Sequence, residues 1–120
     1  MILGIGLDLL KISRMERLLE SERFRARVFT REERAVIAER GVRAAETAAG
    51  LFCAKEAYAK ATGRGLPGLR LQEISVVWDP NGRPFLRSNS PDDRELSFHL
   101  SITHDGGFAA AVVVIEEVTR

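Results

Sequence analysis

An α+β fold is what this 120-residue chain predicts: an antiparallel sheet packed on a central long helix, with shorter helices beside it. Three observations carry that expectation. The chain opens on an apolar run interleaved with glycine, Met1-Ile2-Leu3-Gly4-Ile5-Gly6-Leu7, which reads as a strand. Its middle is rich in alanine and repeats at helical spacing. Its end alternates apolar and polar residues over Leu96–Thr103, turns at Asp105-Gly106-Gly107 and returns over Phe108–Ile115, the pattern of an antiparallel hairpin. With 45% hydrophobic and 29% charged residues, the composition is that of one globular domain spanning 1–120 rather than a disordered chain.

The elements follow in order. Residues 1–9 form a strand, with Ile2, Gly4, Gly6 and Asp8 on one face and Leu3, Ile5, Leu7 and Leu9 on the other. Glycine in a strand marks close approach by another backbone or a ligand. Ser13-Arg14-Met15-Glu16 matches a capping box, with Ile12 placed as its hydrophobic staple, so a helix is expected to open there. Thr30-Arg31-Glu32-Glu33 is a second capping box, and its helix is expected to stop at Gly41. A longer helix runs from about Val42 to Thr62 and ends at Gly63; Gly50 inside it marks a bend or close packing. A loop over 64–68 leads to a strand at Gln72–Trp78, and Asp79-Pro80-Asn81-Gly82 is a turn. A short strand starts at Arg83-Pro84-Phe85-Leu86, where Pro84 favours a sheet edge. Ser88–Arg94 is polar and loop-like.

Several function classes are excluded or weakened. The net charge of +1 makes no global case for nucleic acid. Cys53 is the sole cysteine, which rules out an intrachain disulfide and argues against a thiolate zinc site. No apolar run reaches the length of a membrane span. Met1-Ile2-Leu3 lacks the basic region and cleavage site of a signal peptide, so a cytoplasmic location is expected.

Asp8 is the chemically informative residue of the opening strand. A carboxylate in an apolar strand loses hydration and needs compensation, from a bound cation or from a basic neighbour such as an arginine. Glu56 lies on the long helix with Lys60 one turn on. An i,i+4 ion pair on a wet surface accounts for those two; so does a site in which two carboxylates from separate elements hold Mg²⁺ while Lys60 neutralises a phosphate oxygen. On the helical wheel Cys53, Ala54, Ala57, Tyr58 and Ala61 share an apolar side, and Phe52, Glu56, Ala59 and Lys60 gather opposite. His104 sits between a strand and a glycine turn, beside the hydroxyls of Ser101 and Thr103. It is a structural residue or a donor to phosphate; His99, mid-strand on the polar face, has the weaker claim. Residues 11–27 carry six basic against three acidic side chains, a local charge of +3. That is a solvated face or a docking surface for an acidic partner.

Three blocks then fit one family, in order: Gly4-Ile5-Gly6-Leu7-Asp8; Phe52-Cys53-Ala54-Lys55-Glu56-Ala57-Tyr58-Ala59-Lys60-Ala61 with Gly63 and Gly65; and Leu100-Ser101-Ile102-Thr103-His104-Asp105-Gly106-Gly107. The chain resembles the holo-acyl-carrier-protein synthases, short bacterial 4'-phosphopantetheinyl transferases, over nearly its whole length. The resemblance implies that family's fold and the transfer of 4'-phosphopantetheine from coenzyme A to a serine of apo-acyl carrier protein, with release of adenosine 3',5'-bisphosphate. It implies Asp8 and Glu56 as Mg²⁺ ligands and, with Lys60, as catalytic residues. Lys60 becomes a pyrophosphate contact, and Thr103 and His104 contacts to the nucleotide phosphates. Lys55, Gly63, Asn81, Arg83 and Pro84 become further substrate contacts, the last three in a segment beside the adenine. Arg14 and Arg17 become the docking face for the carrier. A homotrimer with sites between subunits follows by the same resemblance. Leu51 stands where many members place arginine, Cys53 replaces a common alanine and Thr103 a common serine. The acceptor of the serine proton stays open among Glu56 through water, a bound hydroxide, Glu32 and Glu33. The competing readings are another small metal-dependent phosphate or nucleotide hydrolase, and a non-catalytic basic binding module.

Overall fold

The computed structural model describes residues 1–64 and 70–118. The expected loop over 64–68, apart from Arg64, lies outside the described residues, as does Gly65 of the family block. Strand β1 (Ile2–Lys11) leads into three short helices, α1 (Ile12–Leu18), α2 (Glu22–Val28) and α3 (Arg31–Glu39). A 3₁₀ turn at Gly41–Arg43 feeds the long helix α4 (Ala44–Thr62). Strands β2 (Ile74–Trp78) and β3 (Pro84–Ser88) form a two-stranded antiparallel ribbon, and β4 (Leu96–Asp105) and β5 (Phe108–Glu117) complete the chain.

The main sheet is ordered β1-β5-β4, antiparallel throughout. Gly106 and Gly107 join β4 to β5 with φ of 57° and 84°, which makes the two-residue hairpin loop available to glycine. Helix α4 lies across the inner face of this sheet, and Cys53, Ala54, Ala57 and Tyr58 are buried there with Val113 and Ile115. Ala59, on the wheel's expected polar side, is buried too, so α4 is enclosed on most of its circumference. A helix buried on nearly all sides is the central element of its fold.

The second capping box forms as read: Thr30 Oγ1 accepts from Glu33 N at 3.3 Å, and Glu33 Oε1 accepts from Thr30 N at 2.9 Å. Gly41 follows that helix at φ 57°, and Gly63 closes α4 at φ 73°. The first capping box does not form. Helix α1 starts one residue before Ser13, with Lys11 at the cap and no side-chain cap bond, because Ile12 N donates to Gly107 O at 2.9 Å across the hairpin turn. The basic stretch is broken at Leu19–Ser21, where Ser21 Oγ caps α2 by accepting from Phe24 N at 3.1 Å.

Gly50 marks close packing, not a bend. A Cβ there would lie 2.9 Å from Ile102 Cγ2, so its absence lets β4 reach α4. The β1 glycines do the same more severely. A Cβ on Gly4 would sit 2.0 Å from Ala61 O, and one on Gly6 would sit 1.9 Å from Ala57 O. Two strand residues and four helix residues both span about 6 Å, so the next step of this match brings Asp8 opposite Cys53.

The leucine face of β1 points the other way. Leu3, Ile5, Leu7 and Leu9 are 52–67% exposed, so the apolar run is not covered on that side within one chain. Val112 and Val114 of β5 pair with Leu7 and Ile5 and continue the same apolar face.

Candidate active site

Asp8 is carried to α4 by the glycine contacts just described. Its side chain is 16% exposed, and its Oδ1 accepts from Lys60 Nζ at 3.2 Å. Lys60 Nζ also donates to Leu7 O at 2.9 Å. The compensating base is therefore a lysine, and Lys60 pairs across to β1 rather than along its own helix with Glu56. Cys53 lies under the carboxylate. Burial first, and then the charge and hydrogen bond of Asp8, push its thiol up to about 12, so it is an inert core group.

Glu56 faces the same spot, half-buried. Burial and then the charge of Asp8 push its carboxyl above the usual glutamate range; Lys60 and Arg14 pull it back. Two acids from separate elements thus share one electrostatic site, with an ammonium standing in as its cation. Among the described residues no group of three or more His, Cys, Asp or Glu side chains is placed to hold an ion. A pair of hard carboxylates suits a cation that keeps water and takes substrate phosphate oxygens as its remaining ligands. If the acids are coupled in this way, Asp8→Asn lowers the Glu56 pKa and Lys60→Met raises it. Carboxyl-carbon NMR titration of the metal-free variants reads both directions, and no movement in either would show the acids to be independent.

A second cluster lies elsewhere on α4. A cavity of about 270 Å³ is lined by Arg40, Arg43, Glu46, Thr47, Gly50 and Leu51, and by Trp78, Pro84, Ile102, Thr103, His104 and Ala109. His104 Nε2 and Glu46 Oε1 are 3.4 Å apart, and the Arg40 guanidinium lies over the Trp78 ring at 5.9 Å from its centroid. Two arginines and a histidine around an aromatic wall suit an anionic, ring-bearing ligand. Leu51 contributes an apolar wall.

The expected site residues thus divide. Asp8, Glu56 and Lys60 come together with the field of Arg14. Pro84, Thr103 and His104 meet at the cavity. Asn81 and Arg83 sit on the exposed turn that leads to Pro84; their backbone N–H groups donate to Asp79 Oδ1, each at 2.9 Å. Gly63 caps the far end of α4, and among the described residues nothing lies within 4 Å of a Cβ added there. His99 is exposed on β4, paired with Glu116 at 3.0 Å.

Lys55 and Glu33 do not fit the roles expected of them. Lys55 is fully buried, with Nζ 2.5 Å from Glu33 Oε1, 2.7 Å from Val28 O and 3.0 Å from Leu71 O. Glu33 Oε2 accepts from Val76 N at 2.8 Å, so this acid is fully committed and cannot reach a carrier serine. The pair ties α3 and β2 to α4 as a structural clamp. Glu32 is exposed and paired with Arg87.

Arg40, Arg43, Glu46 and Thr47 were not legible as site residues from the family blocks. A signal was present: 43, 46, 47, 50 and 51 follow the i, i+3, i+4, i+7, i+8 rule, a stripe with glycine in it.

The sequence profile of the 4'-phosphopantetheinyl transferase superfamily matches residues 4–113. A holo-[acyl-carrier-protein] synthase of Treponema denticola is 42% identical over 122 residues, covering 97% of this chain and 99% of the relative. One from Bacillus cereus is 41% identical with both chains covered completely. Among solved structures, the holo-(acyl-carrier-protein) synthase of Bacillus anthracis in complex with CoA (3',5'-ADP) superposes with a TM-score of 0.86 at 40% identity, over 99% of each chain. The Helicobacter pylori enzyme in complex with coenzyme A gives 0.83 at 29% identity, over 93% of this chain and 99% of that one. Because the match runs end to end and takes in β1 with Asp8, α4 with Glu56 and the closing hairpin with His104, the chain belongs to the 4'-phosphopantetheinyl transferase superfamily, among the holo-[acyl-carrier-protein] synthases.

Proposed function

We propose that this protein transfers the 4'-phosphopantetheine group from coenzyme A to a serine of apo-acyl carrier protein and releases adenosine 3',5'-bisphosphate, using a divalent ion held by Asp8 and Glu56. The observation that carries this reading is the convergence of those two acids beside Lys60 in a chain matched along its length by holo-[acyl-carrier-protein] synthases. Mg²⁺ supplies charge neutralisation and Lewis acidity at the pyrophosphate. The serine oxygen forms a bond to phosphorus as the bond to the adenosine bisphosphate breaks. Such a transfer rests on positioning and on meeting negative charge. Lys60 meets charge on the pyrophosphate, and Arg40, Arg43 and His104 hold the nucleotide end in their cavity, with the exposed Asn81–Arg83 turn beside it. Glu56, through a water molecule, accepts the serine proton; Glu33 is enclosed, and Glu32 is exposed and held by Arg87.

Arg14 and Arg17 are exposed on α1, and Arg14 is close enough to act on Glu56, so an acidic carrier docked there delivers its serine to the acids. Arg14→Glu raises the KM for the carrier about tenfold while the KM for coenzyme A moves little. Equal loss for both substrates in steady-state assays would remove the docking role.

One chain does not bring the two clusters together. Thr47, Gly50 and Leu51 lie roughly 120–180° around α4 from Glu56 at 100° per residue, and Glu46 about 80°. A ligand that touches both clusters bridges two copies, and the uncovered Leu3–Leu9 face offers the contact for a homotrimer. Mixing Asp8→Asn with His104→Ala protein, under conditions that exchange subunits, then regenerates intact sites in about a quarter of the interfaces. If the mixture stays as inactive as its components, each site is built within one chain. A cytoplasmic location fits this chemistry, since coenzyme A and carrier meet there; fractionation of cells tests it. Among the described residues no helix is long and apolar enough to cross a membrane.

The decisive assay is mass spectrometry of apo-acyl carrier protein incubated with the protein, coenzyme A and Mg²⁺. The carrier gains one phosphopantetheine. Consumption of coenzyme A with no gain on the carrier would make the protein a hydrolase instead.

A further inference from the structure

The acid pair meets a cation even in the free protein, and that cation is Lys60. Its ammonium is bonded to Asp8 and to the Leu7 carbonyl, both on β1, while more than half of the lysine side chain is exposed. Asp8 is mostly enclosed, so it has few other sources of compensation. A divalent ion held by Asp8 and Glu56 would compete with the ammonium for Asp8, because two cations at contact distance on one carboxylate repel each other. The flexible, half-exposed lysine is the group that can move. An open pyrophosphate is the next place where its charge is needed.

We propose that Lys60 is the resident counter-ion of Asp8 in the free protein and leaves it for the substrate pyrophosphate, so that metal and coenzyme A bind cooperatively. The inference rests on the assignment of Asp8 and Glu56 to a divalent ion. Its logic is one of linkage. Metal binding alone must displace Lys60 from Asp8, and coenzyme A binding alone must draw Lys60 away from the same carboxylate. When both bind, the displacement is made once. Each ligand therefore helps the other, and reciprocally so. Removing Lys60 removes that shared step: metal binding without coenzyme A tightens, and the mutual help shrinks by the same factor. Arg14 provides the contrast, because it acts on Glu56 at longer range, as the weakest of that group's influences, and holds neither acid by direct contact.

Mn²⁺ binding followed by electron paramagnetic resonance, with and without coenzyme A, tests this on the full chain. Lys60→Met binds Mn²⁺ roughly fivefold more tightly than the wild type in the absence of coenzyme A. The enhancement of Mn²⁺ affinity by coenzyme A falls by the same factor in that variant, and Arg14→Met leaves the enhancement as in the wild type. Unchanged Mn²⁺ affinity in Lys60→Met, or an undiminished enhancement, overturns the exchange. So does an equal effect from Arg14→Met, which would reduce Lys60 to one positive charge among several. Asp8→Asn separates this from failure of the underlying assignment: it abolishes Mn²⁺ binding if Asp8 is a ligand, and wild-type binding in that variant would remove the metal site itself.

Discussion

Glu56→Gln lowers phosphopantetheine transfer by about a thousandfold, and Asp8→Asn does so to a similar degree. Both substitutions keep the shape of the side chain and remove one negative charge, so each deletes one of the two carboxylates proposed to hold the ion. The loss is catalytic rather than structural, and the direction of the Glu56 shift shows why. Its carboxyl titrates above the unfolded glutamate value because burial and Asp8 disfavour the charged form. A group whose folded pKa is raised binds protons more strongly in the folded state, so stability falls as pH rises from the unfolded value of 4.5 through the folded one. At neutral pH the ionised Glu56 is a destabilising group, and the neutral amide relieves it. Metal-free Glu56→Gln therefore melts at or above the wild-type temperature while being nearly inactive. Thermal denaturation alongside the mass-spectrometric rate checks both halves, and a rate within tenfold of the wild type would take Glu56 out of the reaction centre.

What the sequence shows and what it hides divide along a physical line. The Thr30 capping box, the Gly63 stop, the Asp79–Gly82 turn and the closing hairpin were legible because local chemistry fixes each: a side chain that caps, a glycine at positive φ, a period of two. Ser13 failed as a cap because a contact distant in sequence, Ile12 N to Gly107 O, starts the helix earlier. Lys55 read as a substrate contact through its neighbours in the motif, yet the side chain reaches Glu33 and the carbonyls of Val28 and Leu71, partners that no spacing rule joins. Asp8 was readable as a candidate from burial logic, and Glu56 only through its place beside Lys60 and the family block, but the partner of Asp8 was not legible. Asp8 called for a base, and only the packing of β1 on α4 selects Lys60 over the many arginines. The cavity stripe from Arg43 to Leu51 lay one helical face away from the residues that the family blocks brought forward.

Gly6→Ala destabilises the protein by about 3 kcal/mol, on the order of 10 °C in Tm, and weakens metal binding beyond what the lost stability explains. The added methyl meets the Ala57 carbonyl at 1.9 Å, a backbone atom in the middle of α4 that no rotamer change can move aside. Strand and helix must separate, and Asp8, two residues on along the same face, moves away from Glu56 with the strand. Gly41→Ala is the control. That glycine has φ 57° and nothing within 4 Å of an added methyl, so the substitution meets backbone strain of about 1–2 kcal/mol without touching the acids. Loss of stability with preserved Mn²⁺ affinity is the expected result for Gly41→Ala, and loss of both for Gly6→Ala. The pairing of small residues on β1 and α4 is thus a positioning device: it sets the distance between two chain segments by backbone contact, and the carboxylates inherit that distance. If Gly6→Ala melts within a few degrees of the wild type and binds Mn²⁺ as well, the spacing of the acids is set by something other than this contact.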